Sequence, residues 1–112
     1  MKKLEIIIKP EKLDDLKSIL DADAINGLNV VNVMGYGNQK GVVQKYRGAE
    51  YRVSFLPKVK VETVVMDDAA EKLVDKIVNE IQTGNYGDGK IFVYDVQDAV
   101  RIRTGERGEK AL

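Results

Sequence analysis

Apolar residues recur along this chain at two different spacings, and one long polar segment fits neither. Leu4 to Ile8 is a short β-branched run and reads as a strand. Pro10 suits the first turn of a helix, and Leu13, Leu16, Ile19 and Leu20 follow at helical spacing to about Ala22. After the punctuation of Asn26-Gly27, Leu28 to Met34 predicts a second strand. Val59, Val61, Thr63 and Val65 alternate with Lys58, Lys60 and Glu62, which predicts a third. Asp68 and Glu71 have the spacing of a capping box. Leu73, Val74, Ile77, Val78 and Ile81 carry one apolar helix face from there, and Thr83-Gly84 predicts a glycine stop. Ile91 to Val96 is a fourth strand, followed by a tail containing Arg101-Ile102-Arg103.

The order β-α-β-β-α-β predicts an α+β domain of the ferredoxin-like type, with both helices on one face of an antiparallel sheet. A sheet with one face in water alternates cleanly between apolar and polar positions. Here Ile6 and Ile8 are accompanied by Ile7, Val31 and Val33 by Val30, and Ile91 and Val93 by Phe92. Apolar residues on both phases predict that the second face is buried against other subunits. A β-rich chain with tolerated surface valines is the other reading of the same pattern.

The polar segment from Gly37 to Leu56 reads GNQKGVVQKYRGAEYRVSFL. Compact domains seldom hold a connection this long unless it is functional or disordered. Tyr46 and Tyr51 lie within it, and tyrosine offers a large contact face with a hydroxyl at low entropy cost. The segment is therefore expected to be a recognition arm.

Composition narrows the chemistry. The chain has 112 residues, enough for one domain, and 44% of them are hydrophobic, enough for a core. Lys and Arg number 18, as do Asp and Glu, and a neutral chain lacks the basic excess of a general nucleic-acid binder. Cysteine and histidine are absent, which removes thiolate chemistry, the usual general base and the commonest transition-metal ligand. The apolar run in MKKLEIIIKP is too short for a signal peptide, and no segment approaches the ~20 apolar residues of a membrane span. The expected location is the cytoplasm.

Residues for anion binding remain. Gly87 and Gly89 flank Asp88 in the glycine-rich loop that ends at Lys90, where consecutive amides can form an anion-binding nest. The spacing is not that of a P-loop, and a plain connection is the competing reading. Arg101 and Arg103 would share a side of an extended segment, suiting phosphate oxygens, unless acids such as Glu106 pair with them. Together with Lys90 they favour a polyphosphate site. Gln39 and Lys58 bracket the arm; a glutamine carbonyl suits a hard cation such as Mg²⁺, and a lysine suits a carboxylate.

These pieces, in order, resemble the PII signal-transduction proteins of nitrogen regulation. The resemblance rests on KPEKLDDLKSIL, on GYGNQKG from Gly35 to Gly41, and on YRGAEY from Tyr46 to Tyr51 followed by FLPKVKVE. It continues through TGNYGDGKIF from Thr83 to Phe92 and VRIRTGE from Val100 to Glu106. It implies a single domain over residues 1–112 that assembles as a homotrimer, with a T-loop at 37–56, a B-loop at 82–90 and a C-terminal loop at 101–108. It implies intersubunit clefts that bind ATP or ADP through Asn29, Gly35, Gly37, Asn38, Gln39, Val64, Gly87, Asp88, Gly89, Lys90, Arg101 and Arg103, the two arginines coming from a neighbour. With Mg-ATP bound, 2-oxoglutarate would meet Gln39, Lys40, Gly41, Lys58 and Gly87, and Gln39 would help hold Mg²⁺.

The T-loop would report ligand state to an ammonium channel or to an enzyme or regulator of nitrogen assimilation, so contact with a membrane would be indirect. Tyr51 stands at the position that some relatives uridylylate or adenylylate. Three positions depart from the family: Asn38 is usually basic, Asn29 is often threonine, and Ala49 replaces the serine phosphorylated in cyanobacterial relatives. The expectation is a non-enzymatic sensor. A small phosphate-handling enzyme on the same fold lacks an evident nucleophile with a base beside it. An RNA-binding module would need exposed aromatics, which Phe92 and Tyr94 only faintly suggest in a neutral chain.

Overall fold

The computed structural model describes residues 1–25, 27–37, 43–46, 49–52 and 55–112. The elements are β1 (Lys2–Ile8), α1 (Leu13–Ala22), β2 (Asn29–Gly35), β3 (Val43–Tyr46), β4 (Ala49–Arg52), β5 (Leu56–Val65), α2 (Asp67–Ile81) and β6 (Lys90–Asp95). Pro10–Lys12 and Gly108–Ala111 are short 3₁₀ turns. Pro10 thus opens a 3₁₀ turn that leads into α1.

β2, β5, β1 and β6 form one antiparallel sheet in that order. This is the ferredoxin-like α+β arrangement. Register decides which residues share a face. Leu4 faces Thr63 and Val93, Ile6 faces Val61 and Ile91, and Ile8 faces Val59. Side chains alternate along strands, so these residues form one layer beneath the helices. Leu16, Ile19 and Leu20 of α1 and Ala70, Leu73, Ile77 and Ile81 of α2 close the core from above. Thr63, the polar member of that layer, donates its hydroxyl to the Gly27 carbonyl at 2.6 Å, which satisfies it in an apolar setting.

Four local expectations are corrected. Asp68 and Glu71 do not cap α2. The helix starts two residues earlier than a capping box at Asp68 would place it, its N-cap is the extended Met66, and no side chain caps it. The amino terminus of Met1 instead pairs with Asp67 at 2.8 Å, a contact between chain start and helix start that local spacing cannot reveal. Thr83-Gly84 does not close the helix either, because Gln82 is already extended (φ −63°, ψ 142°). Val78 lies off the buried helix face and is exposed.

The fourth correction concerns the arm. It is not irregular throughout, for β3 and β4 pair as an antiparallel hairpin with Tyr46 opposite Ala49 and Gln44 opposite Tyr51. Polar, alternating residues can satisfy their backbone in a two-stranded ribbon without a core.

No described residue outside the sheet packs as a layer on the face away from the helices. Val31 and Phe92 are nearly half exposed there, and Ile7 and Val33 are partly buried. Lys3, Glu5, Lys60 and Glu62 share this face by register. It is more charged than its valines and isoleucines suggest.

Candidate functional site

Antiparallel pairing brings the ends of β1 and β2 and the starts of β5 and β6 to one edge of the sheet, since Gly35 pairs with Leu56 and Ile7 with Lys90. A cavity of about 420 Å³ opens there, lined by Gly35, Gly37, Lys58, Gly87, Gly89 and Lys90 together with Ile7, Tyr36 and Tyr86. Six residues drawn from three separate stretches of sequence thus converge.

The loop from Gln82 to Lys90 is held rigid by its own side chains. The Asp88 carboxylate accepts hydrogen bonds from the Thr83 amide (2.7 Å), the Thr83 hydroxyl (2.6 Å) and the Gly84 amide (3.0 Å). The Thr83 hydroxyl and amide, followed by the Gly84 amide, hold this carboxyl below the usual aspartate range. Asp88 is therefore engaged inside the loop, and its side chain does not line the cavity. Gly89 sits at φ +113°, and a Cβ there would lie 1.8 Å from the Ile7 carbonyl oxygen. Only glycine lets the loop backbone press this closely on β1.

Lys58 ties the two sides of the cavity together. Its ammonium donates to the Gly87 carbonyl at 2.9 Å, and its stem packs against Gly35, where an added Cβ would meet Lys58 Cγ at 3.0 Å. Burial, and then the charge of Lys9, lower its pKa from the ordinary lysine value. An arriving carboxylate would reverse that shift. At the rim, Tyr36 and Phe55 join the two ends of the arm, their ring centroids 5.5 Å apart and tilted by 44°. The sequence reading did not single out this pair. Its signal was available, as one aromatic at each end of the polar segment.

The remaining expected residues lie elsewhere. Asn29 and Val64 line a second cavity, of about 680 Å³, at the opposite end of the sheet, together with Lys3, Glu62 and Leu112. Arg101 and Arg103 do not lie on an extended segment. They belong to a turn closed by hydrogen bonds from Gly105 N to Arg101 O (2.7 Å) and from Arg101 N to Glu106 O (2.9 Å). Arg101 donates to the Leu112 carbonyl (2.9 Å) and approaches Glu106 at 3.5 Å, so the acid pairing that competed with phosphate binding is present for this arginine. Asn38, Gln39, Lys40 and Gly41 lie outside the described residues, and Tyr51 is placed only as the β4 partner of Gln44.

Those expected ligand residues that line a cavity therefore divide between two, at opposite ends of the sheet, and Arg101, Arg103 and Asp88 line neither. The first offers lysines and a tight glycine-rich turn, which suit anions. Its described lining holds no carboxylate.

A family model described as "Nitrogen regulatory protein P-II" matches residues 1–106. The chain belongs to this family. It is 54% identical over 112 residues, all of both chains, to Nitrogen regulatory protein P-II of Pasteurella multocida and to that of Klebsiella oxytoca. The same identity and coverage relate it to Nitrogen regulatory protein P-II 1 of Escherichia coli K12. These P-II relatives are named as regulators rather than as enzymes. Among the described residues no helix is long and apolar enough to cross a membrane.

Proposed function

We propose that this P-II protein is a non-enzymatic sensor that binds ATP or ADP and, with Mg-ATP, 2-oxoglutarate in clefts between the subunits of a homotrimer. It passes the ligand state through the 37–56 arm to partner proteins of nitrogen assimilation, such as ammonium channels. The observation that carries this reading is the split of the ligand residues between two ends of one sheet face. Within one chain, Lys58, Gly87 and Lys90 do not share a cavity with Asn29, Val64 or Arg101. A second copy, laid against the open face, can bring one chain's lysine-lined cavity to its neighbour's opposite end.

The coupling to the arm follows from shared residues. Tyr36 and Gly37 line the cavity and lead into the arm, and Leu56 lines it where the arm returns. A ligand that contacts these residues differently in different arm conformers shifts their populations by its difference in affinity. A partner that prefers one conformer then changes ligand affinity in return. In this scheme Lys58 exchanges its Gly87 carbonyl for the carboxylate of 2-oxoglutarate. Gln39 would help hold Mg²⁺ when Mg-ATP is bound.

Titration calorimetry of 2-oxoglutarate with and without Mg-ATP tests the reading. Binding that requires Mg-ATP is expected, and equal binding without nucleotide would overturn the coupled site. Lys58→Ala is expected to abolish 2-oxoglutarate binding while ATP affinity changes less than about threefold, the scale of a weak contact. Arg103→Ala is expected to weaken nucleotide binding, because the neighbour's arginine is lost. A monomeric mass by light scattering would remove the intersubunit cleft.

A further inference from the structure

Two tyrosines stand at the mouth of the lysine-lined cavity. Tyr36 and Tyr86 both belong to its lining, yet they are 74% and 73% exposed. They are the most exposed apolar side chains there, since Phe92 is nearly half exposed and Ile7 and Leu56 are partly buried. Each precedes a glycine of the lining, Gly37 or Gly87, so two segments distant in sequence each bring a ring to the opening.

The backbone on either side of Tyr86 is held in place. Asp88 binds the Thr83 and Gly84 amides before it, and Gly89 presses on the Ile7 carbonyl after it. The Gly87 carbonyl, next in the chain, accepts from the Lys58 ammonium at 2.9 Å. Tyr86 is therefore positioned relative to the cation that would receive an anion. Tyr36 is braced by its ring contact with Phe55. Among the described residues neither tyrosine hydroxyl has a hydrogen-bond partner. A tyrosine brings roughly 150–250 Å² of surface, and here most of it is uncovered beside a cavity.

The cavity needs such a cover. An ion pair in open water is several-fold weaker than the same pair where water is partly excluded. Lys58 and Lys90 alone would hold a small anion loosely and without regard to its carbon skeleton. Apolar rings at the opening would shield the pair from water and would gain from contact with methylene groups. We infer that the Tyr86 ring, with that of Tyr36, covers the carbon chain of the anion held at Lys58 and keeps water from its ion pair. This rests on the sensor reading above, in which Lys58 receives a carboxylate of 2-oxoglutarate. The ring does this and not the hydroxyl, which no neighbour orients.

The test is calorimetry of 2-oxoglutarate binding at saturating Mg-ATP, repeated at several temperatures so that affinity and heat capacity are read together. Tyr86 is exposed and its loop is held by Asp88 and Gly89, so Tyr86→Ala keeps the fold. That variant is expected to bind about tenfold more weakly, the scale of one or two methylene groups left uncovered. Its heat-capacity change should be less negative, the marker of lost apolar burial. Tyr86→Phe is expected to stay within about threefold of the parent. Tyr36→Ala/Tyr86→Ala should lose less than the product of the two single losses, because removing either ring already admits water. Parent affinity in Tyr86→Ala would overturn the inference. So would a Tyr86→Phe variant as weak as Tyr86→Ala, which would assign the effect to the hydroxyl, or a double variant whose losses multiply. A parent chain that does not bind 2-oxoglutarate with Mg-ATP overturns the sensor reading, and this inference with it. A parent that binds, with indifferent Tyr86 variants, overturns this inference alone.

Discussion

The two faces of the sheet are built from the same strands and solve different problems. On the helix side, Leu4, Ile6, Val61 and Leu73 are at most 1% exposed, and Thr63, the polar member of that layer, is satisfied by a backbone carbonyl. On the open side, apolar residues surround four charges and a tyrosine that satisfy one another. A core that closes within one chain can exclude charge, because α1 and α2 bring all the covering residues with them. A face that must remain stable before anything covers it benefits from polar groups at its centre, provided they are already paired when water leaves. The two cavities lie at opposite ends of the sheet, which connects its open side to the proposed function.

The sharpest way to break that contrast is to truncate one residue on each face. Ile6→Ala should destabilise the chain by about 3–4 kcal/mol in urea unfolding, from lost transfer energy and a cavity that cannot collapse, and the loss should not depend on protein concentration. On the homotrimer proposed above, Phe92→Ala on the open face should act mainly at low protein concentration, where that assembly would dissociate. Equal, concentration-independent losses at both positions would mean the faces do not differ in kind.

A smaller effect separates the rigid loop from the arm base. Gly89→Ala should reduce stability by about 2 kcal/mol, since the side chain collides with the Ile7 carbonyl and the backbone is left-handed. A Cβ at Gly37 meets no described atom within 4 Å, and Gly37→Ala should change stability by no more than about 0.5 kcal/mol. A tolerated Gly89→Ala would show that the loop can lift off β1. Differential scanning calorimetry at matched pH gives both values.

The smallest expected effect is a pH dependence. Asp88 has a folded-state pKa below the ordinary carboxylate value of about 4. Its contribution is therefore fully present above that value and lost as pH falls through the lower, folded-state one. Asp88→Asn should lower stability at neutral pH and flatten the acid limb of the stability curve. An acid limb that matches the parent's would mean that the Thr83 and Gly84 contacts contribute nothing measurable.

Much of this was legible from spacing alone. The alternation Val59, Val61, Thr63, Val65 gave the buried phase of β5 correctly, and the helical spacing of Leu16, Ile19 and Leu20 gave the buried side of α1. The errors share a cause. Asp68 and Glu71 match a capping box locally, but the amino terminus, distant in sequence, lies beside Asp67. Gly84 resembles a helix stop, but the left-handed turn belongs to the loop that Asp88 organises. Arg101 and Arg103 alternate as on a strand, but Gly105 and Glu106 fold that segment into a turn. In each case a long-range or side-chain partner outweighed a local preference worth about 1 kcal/mol. At the site, the residue types that suit anions were visible in the sequence. Their division between two ends of the sheet was not.

The sequence by itself determined the order of the four sheet strands and two helices, the buried phase of β5, the buried side of α1 and, through motifs matched along nearly its whole length, membership of the P-II family. Those properties depend on residues close in sequence, where period and propensity act directly. The tertiary structure decided which cation meets which anion. It placed Lys58 on Gly87, Asp88 inside its own loop, and Lys60 between Glu5 and Glu62. Such pairings depend on strand register and on where the loops land. One-residue alternation cannot encode these, because it says which way a side chain points and not what it will find there.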